Sequence, residues 1–485
     1  MRCALAAILF AALGAAAHAQ CTDTELARIT DPNGEFGRDQ FGRSVSLSGD
    51  GLLIGEPGQS RAHVFRLGDA GWSHEQVIVQ HTDDTLDFGT SVALQGGLAV
   101  IGASVDYDTC NDPDDCTQGA AWVFRHNGAF WQQEARLPPP FYIDSFGFYG
   151  QVVALDGTTA MVAAPRSLNG VVVPYRFDGT QWERFQPLEA SDGMEGDNFG
   201  AAVAVDVPHA VVGAPNSDGA GERSGSAYVF ERNRFLNWVQ VSRLAPTDLG
   251  PDDRFGSAVA IRGDLIAVGA PGPGINFPTH TGAVYLYGPR SGGWSLLEKL
   301  VPGDAQLGDA FGYSVSIPRE DIIVVGALTA AANGHSAGAA YVFRKIGAEW
   351  VEQARLTASD PADDQFFGIS ASADGELAAI GAPETFNGGG GAAYAFGGIS
   401  DCNGNGTLDL CDVAAGSSDD LDGDGVPDEC ECRADFNGDG QVNTQDVIAF
   451  LNAWNADDSA ADFNGDGQIN TQDVIAFLNA WNIGC

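Results

Sequence analysis

Basic side chains are scarce in this sequence: 24 Lys and Arg stand against 65 Asp and Glu, a formal net charge of −41 over 485 residues. That balance argues against a nucleic-acid partner, because phosphate backbones are bound by Lys and Arg that displace counterions. It argues equally against docking on anionic lipid. After the first twenty residues no apolar run is long enough to span a bilayer. There is no G-x-S-x-G elbow, no H-E-x-x-H pair and no phosphate-cradling glycine loop before a helix. Seven histidines follow the leader (His63, His74, His81, His126, His209, His280 and His335) and fall in unrelated segments. No Cys has a neighbouring His that would make it a thiolate nucleophile. The sequence thus offers no catalytic constellation, and a non-enzymatic role is expected. Paired carboxylates of the glycoside-hydrolase kind stay compatible with so acidic a chain.

What is present begins with MRCALAAILFAALGAAAHAQ. Arg2 precedes an apolar run from Ala4 to Ala17, and Ala17-His18-Ala19 has the small-x-small form of a signal-peptidase site. Residues 1–19 are therefore expected to be a signal peptide, making the protein secreted to the cell surface or beyond; a short membrane anchor is the alternative. Eight cysteines follow the leader: Cys21, Cys110, Cys116, Cys402, Cys411, Cys430, Cys432 and Cys485. An even number in an exported chain favours disulfides. Cys110 and Cys116 are close enough to close a local loop, and the pairing of the other six is open.

The main signal is internal repetition. An FG pair recurs seven times, at Phe41-Gly42, Phe88-Gly89, Tyr149-Gly150, Phe199-Gly200, Phe255-Gly256, Phe311-Gly312 and Phe367-Gly368. Some fourteen residues after each comes IGEP, IGAS, VAAP, VGAP, VGAP, VGAL or IGAP. Alternating apolar segments around a Gly/Asp turn between the two motifs read as a β-hairpin. A third apolar segment such as AAYVFR follows, and a fourth starts at Trp72, Trp131, Trp182, Trp238, Trp294 or Trp350. Four strands in some fifty residues is the size of a propeller blade. The seventh unit lacks a fourth strand, and Glu25-Leu26-Ala27-Arg28-Ile29-Thr30 resembles that strand of the sixth. Placed beside the last blade, it would close a ring and remove its open edges.

These units resemble FG-GAP repeats, the family that builds the integrin α-subunit propeller, over residues 21–399. The resemblance implies an all-β, seven-bladed β-propeller of four-stranded blades spanning residues 20–399. Many family members place a D-x-D-x-D-G calcium loop between the FG and GAP strands. Here those connections are tight turns with at most one or two carboxylates, so no such metal site is placed in the blades. The acidic loops before FG, ASDGMEGDNFG and TDLGPDDRFG, are read first as solvated turns and second as metal candidates. Arg262-Gly263-Asp264 occupies a hairpin turn and is read as a coincidental RGD.

After Ser400 the composition changes: residues 401–485 hold eighteen Asp and Glu and a single basic residue, Arg433. The acids are periodic. An EF-type loop uses oxygen ligands at positions 1, 3, 5, 7, 9 and 12 with Gly at 6. Asp435, Asn437, Asp439, Gln441, Asn443 and Asp446 fill one such loop around Gly440. Asp462, Asn464, Asp466, Gln468, Asn470 and Asp473 fill another around Gly467. In both, position 7 would give its backbone carbonyl. Each loop is followed by VIAFLNAWN, with apolar residues at helical spacing. Residues 433–485 resemble a dockerin type I domain, a small α-helical EF-hand-like calcium module. The resemblance implies Ca2+ and a cohesin-like protein partner, selected through positions 10 and 11, here Thr444-Gln445 and Thr471-Gln472. Two earlier loops follow the same grammar: Asp401, Asn403, Asn405, Thr407, Asp409, Asp412; and Asp420, Asp422, Asp424, Val426, Asp428, Glu431. Neither is followed by an amphipathic helix, and with their cysteines residues 400–432 are similar to thrombospondin type 3 calcium repeats. Cys485 is expected either to clamp the tail to Cys430 or Cys432 or to mark a sorting step.

Together these readings give a secreted, calcium-binding, non-catalytic binding or adhesion propeller, held at a surface or in an assembly by its tail. A glycan or protein ligand on the propeller, and an envelope component as the tail's partner, belong to the same expectation. The competing reading is a propeller hydrolase or lyase acting on extracellular polysaccharide. Individuality is expected in the inserts VDYDTCNDPDDC and NSDGAGERSG, since loops carry specificity on a repeated frame.

Overall fold

A computed structural model describes residues 25–34, 39–68, 70–80, 85–106, 119–140, 147–272, 280–290, 293–332, 334–383 and 390–399. In the tail it describes residues 409, 412, 416–418, 436, 444–456, 461, 463 and 468–483. The leader, all the cysteines and the insert at 107–116 lie outside the described residues.

Between residues 25 and 399 the alternating segments pair into seven antiparallel four-stranded sheets. The first strand, β1 (Glu25–Thr30), stands apart. Blade one is β2 (Ser44–Ser48), β3 (Gly51–Glu56), β4 (Arg61–Gly68) and β5 (Gly71–Val79), hydrogen-bonded in chain order. The next five blades repeat this order, and the seventh has three strands of its own, Ser370–Asp374, Leu377–Ala382 and Ala392–Phe396. Its fourth is β1, which pairs antiparallel with Ala392–Phe396 and sets Arg28 opposite Tyr394. The first strand of every blade touches those of both neighbours in a closed cycle. The chain is thus a seven-bladed β-propeller closed by its own N-terminal strand.

The FG and GAP motifs meet at the seams between blades. The aromatic of each FG pair, from Phe41 to Phe367, is fully buried. The glycine after it has positive φ, +86° at Gly42, a conformation that favours glycine. Its carbonyl faces the GAP glycine of the preceding blade. A Cβ on Gly381 of blade seven would stand 2.0 Å from the Gly42 carbonyl oxygen of blade one. The same clash, at 1.9 to 2.1 Å, protects Gly55, Gly102, Gly213, Gly269 and Gly326. Only two bare backbones fit there. The seam after blade three is the exception: Ala163 replaces the glycine, and the FG glycine there, Gly200, lies such that an added Cβ would sit 3.1 Å from the Ala163 Cβ.

Hydrogen bonds complete the seams. Ser46, Ser91, Ser316 and Ser372 each accept a backbone N–H from the next blade at 2.9 to 3.0 Å. At the hairpin tips a side chain of one blade accepts a turn N–H of the next: Ser48 from Gly96, Gln95 from Gly157, Asp156 from Val207, Asp206 from Gly263 and Asp374 from Gly49. The Arg262-Gly263-Asp264 turn is exposed but belongs to this rim through Gly263.

Candidate docking module and propeller clefts

In the tail, α1 (Thr444–Asn455) and α2 (Thr471–Ile483) carry the same sequence over twelve residues and pack on each other. Phe450 and Phe477, both fully buried, stack with ring centres 4.2 Å apart and 7° between planes. Phe436 meets Phe450 edge-on at 5.3 Å, and Phe463 meets Phe477 the same way at 5.4 Å. Each half thus contributes one loop aromatic and one helix aromatic to a twofold-repeated core. Burying such a ring stabilises by about 1.5–3 kcal/mol, which is why so short a segment can hold two helices together. Trp454 donates its indole N–H to the Asn470 carbonyl at 3.0 Å, linking one helix to the other half's loop.

Several acids of the tail loops lie within the described residues, and they are buried. Asp446 and Asp473, at position 12 of their loops, lie in the first helical turn with no exposure. Acids are favoured there by the helix dipole. Asp473 accepts the Asn470 N–H at 2.7 Å, and Asn470 accepts the Gln472 N–H at 2.8 Å, so positions 9 and 12 are already locked together. The Gln468 carbonyl accepts from the Asn470 side chain at 3.1 Å. Upstream, Asp409 and Asp412 are buried, and Asp412 accepts from the Ser417 hydroxyl at 3.0 Å. Both have helical backbone. Fully buried carboxylates in an all-oxygen donor set fit a hard cation such as calcium. Asp401, Asn403, Asn405, Thr407, Asp420, Asp422, Asp424, Val426, Asp428, Glu431, Asp435, Asn437, Asp439, Gln441, Asn443, Asp462, Asn464 and Asp466 lie outside the described residues.

What the helices leave exposed is also duplicated. Ile448 and Leu451 on α1 are 60% and 43% exposed, and Ile475 and Leu478 on α2 are 59% and 42% exposed. Thr444, Gln445, Thr471 and Gln472 are exposed beside them. In the sequence the Thr-Gln pairs stand out by loop position, while Leu451 and Leu478 fall at helical spacing with Phe450 and Phe477 and the two Ile residues carry no signal. The VIAFL string hides them, because its buried Phe and its exposed Ile and Leu look alike in composition.

On the propeller, the acidic loops before FG serve the fold. Asp248 accepts from Lys299 at 2.7 Å and from the buried Tyr285 hydroxyl at 3.2 Å. Burial works against the Asp248 carboxylate, but these hydrogen bonds and the Lys299 charge hold it below the usual range. Asp304 likewise accepts from the Tyr341 hydroxyl and pairs with Arg355, and Asp360 accepts from Tyr394 and pairs with Arg28. In blade four Asp192 pairs with Arg243, and burial, followed by the hydrogen bond and charge of Asp192, pushes the Tyr228 phenol up to about 12. Closer to FG, Asp197, Asp253 and Asp309 each accept a loop N–H at 2.6 to 2.9 Å. Two equivalent clefts lie beside these groups. One of about 460 Å³ is lined by Asp248, Asp253, His280 and Lys299. The other, of about 440 Å³, is lined by Asp192, Asp197, Arg223 and Arg243, with Arg223 contributed by the NSDGAGERSG insert. A third cavity of about 260 Å³ lies at the hairpin rim between Asp156, Asp206, Arg262 and Asp374.

Comparison with known families agrees with this architecture. The FG-GAP repeat matches six times, over residues 24–69, 72–124, 182–230, 238–287, 294–343 and 350–396, together more than half of the chain. The unit built around Tyr149 and Ala163 is left unmatched, though it folds as a blade like the others. The dockerin type I domain matches residues 433–479. No curated protein matches the chain. Among the described residues no helix is long and apolar enough to cross a membrane. The chain belongs to the FG-GAP repeat family, as a seven-bladed propeller that carries a dockerin type I domain toward its C-terminal end.

Proposed function

We propose that this is an exported, calcium-dependent binding propeller without catalytic activity, tethered to a larger assembly by a cohesin-type partner of its tail. The observation that carries the reading is the exact duplication of the exposed set Thr-Gln, Ile and Leu on α1 and α2, over a core in which each half repeats the other. Such a face would accept one partner in two related orientations. Segmentation follows the sequence: a leader at 1–19, the propeller at 20–399, acidic loops at 400–432 and the docking module at 433–485. Calcium would be held by the four loops, through Asp401 to Asp412, Asp420 to Glu431, Asp435 to Asp446 and Asp462 to Asp473. Burial of Asp409, Asp412, Asp446 and Asp473 supports this assignment. The clefts at Asp192 and Asp248 are where a polar ligand, glycan or protein, would meet the propeller.

Immobilised type I cohesin should retain the full chain in calcium and release it in EDTA, and the helical circular dichroism of the tail should fall on chelation. A spectrum unchanged by EDTA would refute the calcium assignment. Retention in neither condition by a panel of cohesins would refute the docking.

A further inference from the structure

Blade one departs from the repeat at two buried positions that touch. Its GAP motif reads Gly55-Glu56-Pro57, where Ala103, Ala164, Ala214, Ala270, Ala327 and Ala382 occupy the matching place in the other blades. Its third strand carries His63 where Trp122, Tyr228, Tyr285, Tyr341 and Tyr394 stand in five of the other blades and Val173 in blade three. A small residue has become large and a large one smaller, so the volume is roughly kept and the chemistry changed. Glu56 and His63 are both fully buried, and His63 Nε2 lies 2.7 Å from Glu56 Oε2. Asp31, 8% exposed, completes a group whose donor atoms all lie within 4.8 Å of one another. Asp39, also fully buried, is near enough for electrostatic contact with Asp31 and Glu56.

Hydrogen bonds within the group do not satisfy it. Glu56 Oε1, His63 Nδ1 and Asp39 Oδ2 are all buried without a partner. A buried polar atom left unsatisfied costs about 1–3 kcal/mol. Of the three, Glu56 Oε1 is the atom that an ion bound at the Glu56 carboxylate would take up.

We propose that Asp31, Glu56 and His63 form a structural site for a divalent transition-metal ion of the zinc or manganese kind, which clasps the closing seam of the ring. Imidazole and carboxylate donors bind such an ion at about 2.0–2.2 Å, which places neighbouring donors roughly 3 Å apart. The present 2.7 Å contact therefore needs to open only slightly as the ion replaces the shared proton. One imidazole with two or three carboxylates suits zinc, manganese or iron(II) better than calcium, which takes six or more oxygens. The location explains why a single blade carries it. Asp31 is the residue after β1, the strand lent to blade seven, whereas Glu56 and His63 belong to β3 and β4 of blade one. The ion would fasten the donated strand to the blade that follows it. At the seams of blades four to seven a Tyr–Asp–Arg or Tyr–Asp–Lys group occupies the corresponding ground.

The test uses the full chain, with calcium present throughout to hold the tail, stripped by a chelator selective for transition metals and then dialysed against Zn2+ or Mn2+. Bound metal is counted by mass spectrometry, and propeller unfolding is followed by tryptophan fluorescence. Two variants are compared with the natural protein: Glu56→Ala/His63→Tyr, which gives blade one the residues of blades four to seven, and Glu56→Gln, which keeps the shape. The natural protein should bind one equivalent more than either variant and should alone unfold at higher temperature with metal. Affinity in Glu56→Gln should fall by about 100-fold or more, since even outer-shell partners are worth 10–100-fold. If the double variant does not fold, Glu56→Gln decides alone. Equal stoichiometry and equal thermal shifts in the natural and Gln proteins overturn the proposal.

Discussion

Gly326→Ala tests the account of the seams most directly. The residue is the GAP glycine of blade six, and a Cβ there would stand 2.1 Å from the Gly368 carbonyl oxygen and 2.3 Å from Ser314 Oγ. Packed interiors do not absorb this without the blades parting by roughly 1 Å. Overpacking of this kind costs about 1–3 kcal/mol. The displaced Ser314 hydroxyl also gives up its 2.8 Å hydrogen bond to the Gly368 carbonyl, a further loss of about 0.5–1.5 kcal/mol. Against this stands a gain of about 0.4–1 kcal/mol, because alanine has less freedom than glycine in the unfolded chain. The net is roughly 0.5–4 kcal/mol of destabilisation, with its middle near 2, read as a lower urea midpoint by tryptophan fluorescence. Two controls separate the causes. Ala163→Gly widens a seam that already tolerates a methyl group, and should cost only about 0.5–1 kcal/mol. Gly375→Ala meets no atom within 4 Å but has φ +57°, so it should cost about 1–2 kcal/mol by conformation alone. A Gly326→Ala protein as stable as the natural one would refute the steric reading of the glycine pair.

Other consequences follow from the same structure. Deleting β1 leaves Ala392–Phe396 as an open edge, so the truncated chain should self-associate in light scattering, and a peptide of residues 24–31 should reverse this; a monodisperse truncated protein would contradict the closure. Glu134 is held below the usual carboxylate range, first by its hydrogen bond from Arg125. Its contribution is therefore full at neutral pH and lost as pH falls through that lowered value. Glu134→Gln should cost under about 1 kcal/mol at pH 7 and nothing in strong acid, and a cost that persists in acid would contradict the ion pair as its source. Substituting Thr444-Gln445 by Ala-Ala should leave cohesin capture within a few-fold, as should the same change at Thr471-Gln472, whereas both together should abolish it. Loss of capture in either single variant would show that only one half docks.

The ring, its blade count and its closure were legible in the sequence because they rest on local spacing: FG to GAP, GAP to the third strand, and a spare fourth strand at the front. The duplicated tail was legible for the same reason. The sequence did not show why the motif contains glycines at both ends. The reason appears only when Gly42 and Gly381, far apart in the chain, are brought face to face. Nor could it assign the acidic loops, whose carboxylates turn out to bind tyrosine, lysine and arginine side chains on neighbouring strands. The Arg28 to Tyr394 contact spans 366 positions and exists only because the ring closes. His63 was one of seven scattered histidines, and Glu56 one irregular letter in a repeat. Strand pairing and burial made them a single group. Periodicity is a property of neighbouring residues and survives in one dimension, whereas the chemistry of this protein lies at seams, where the partners are chosen by the fold.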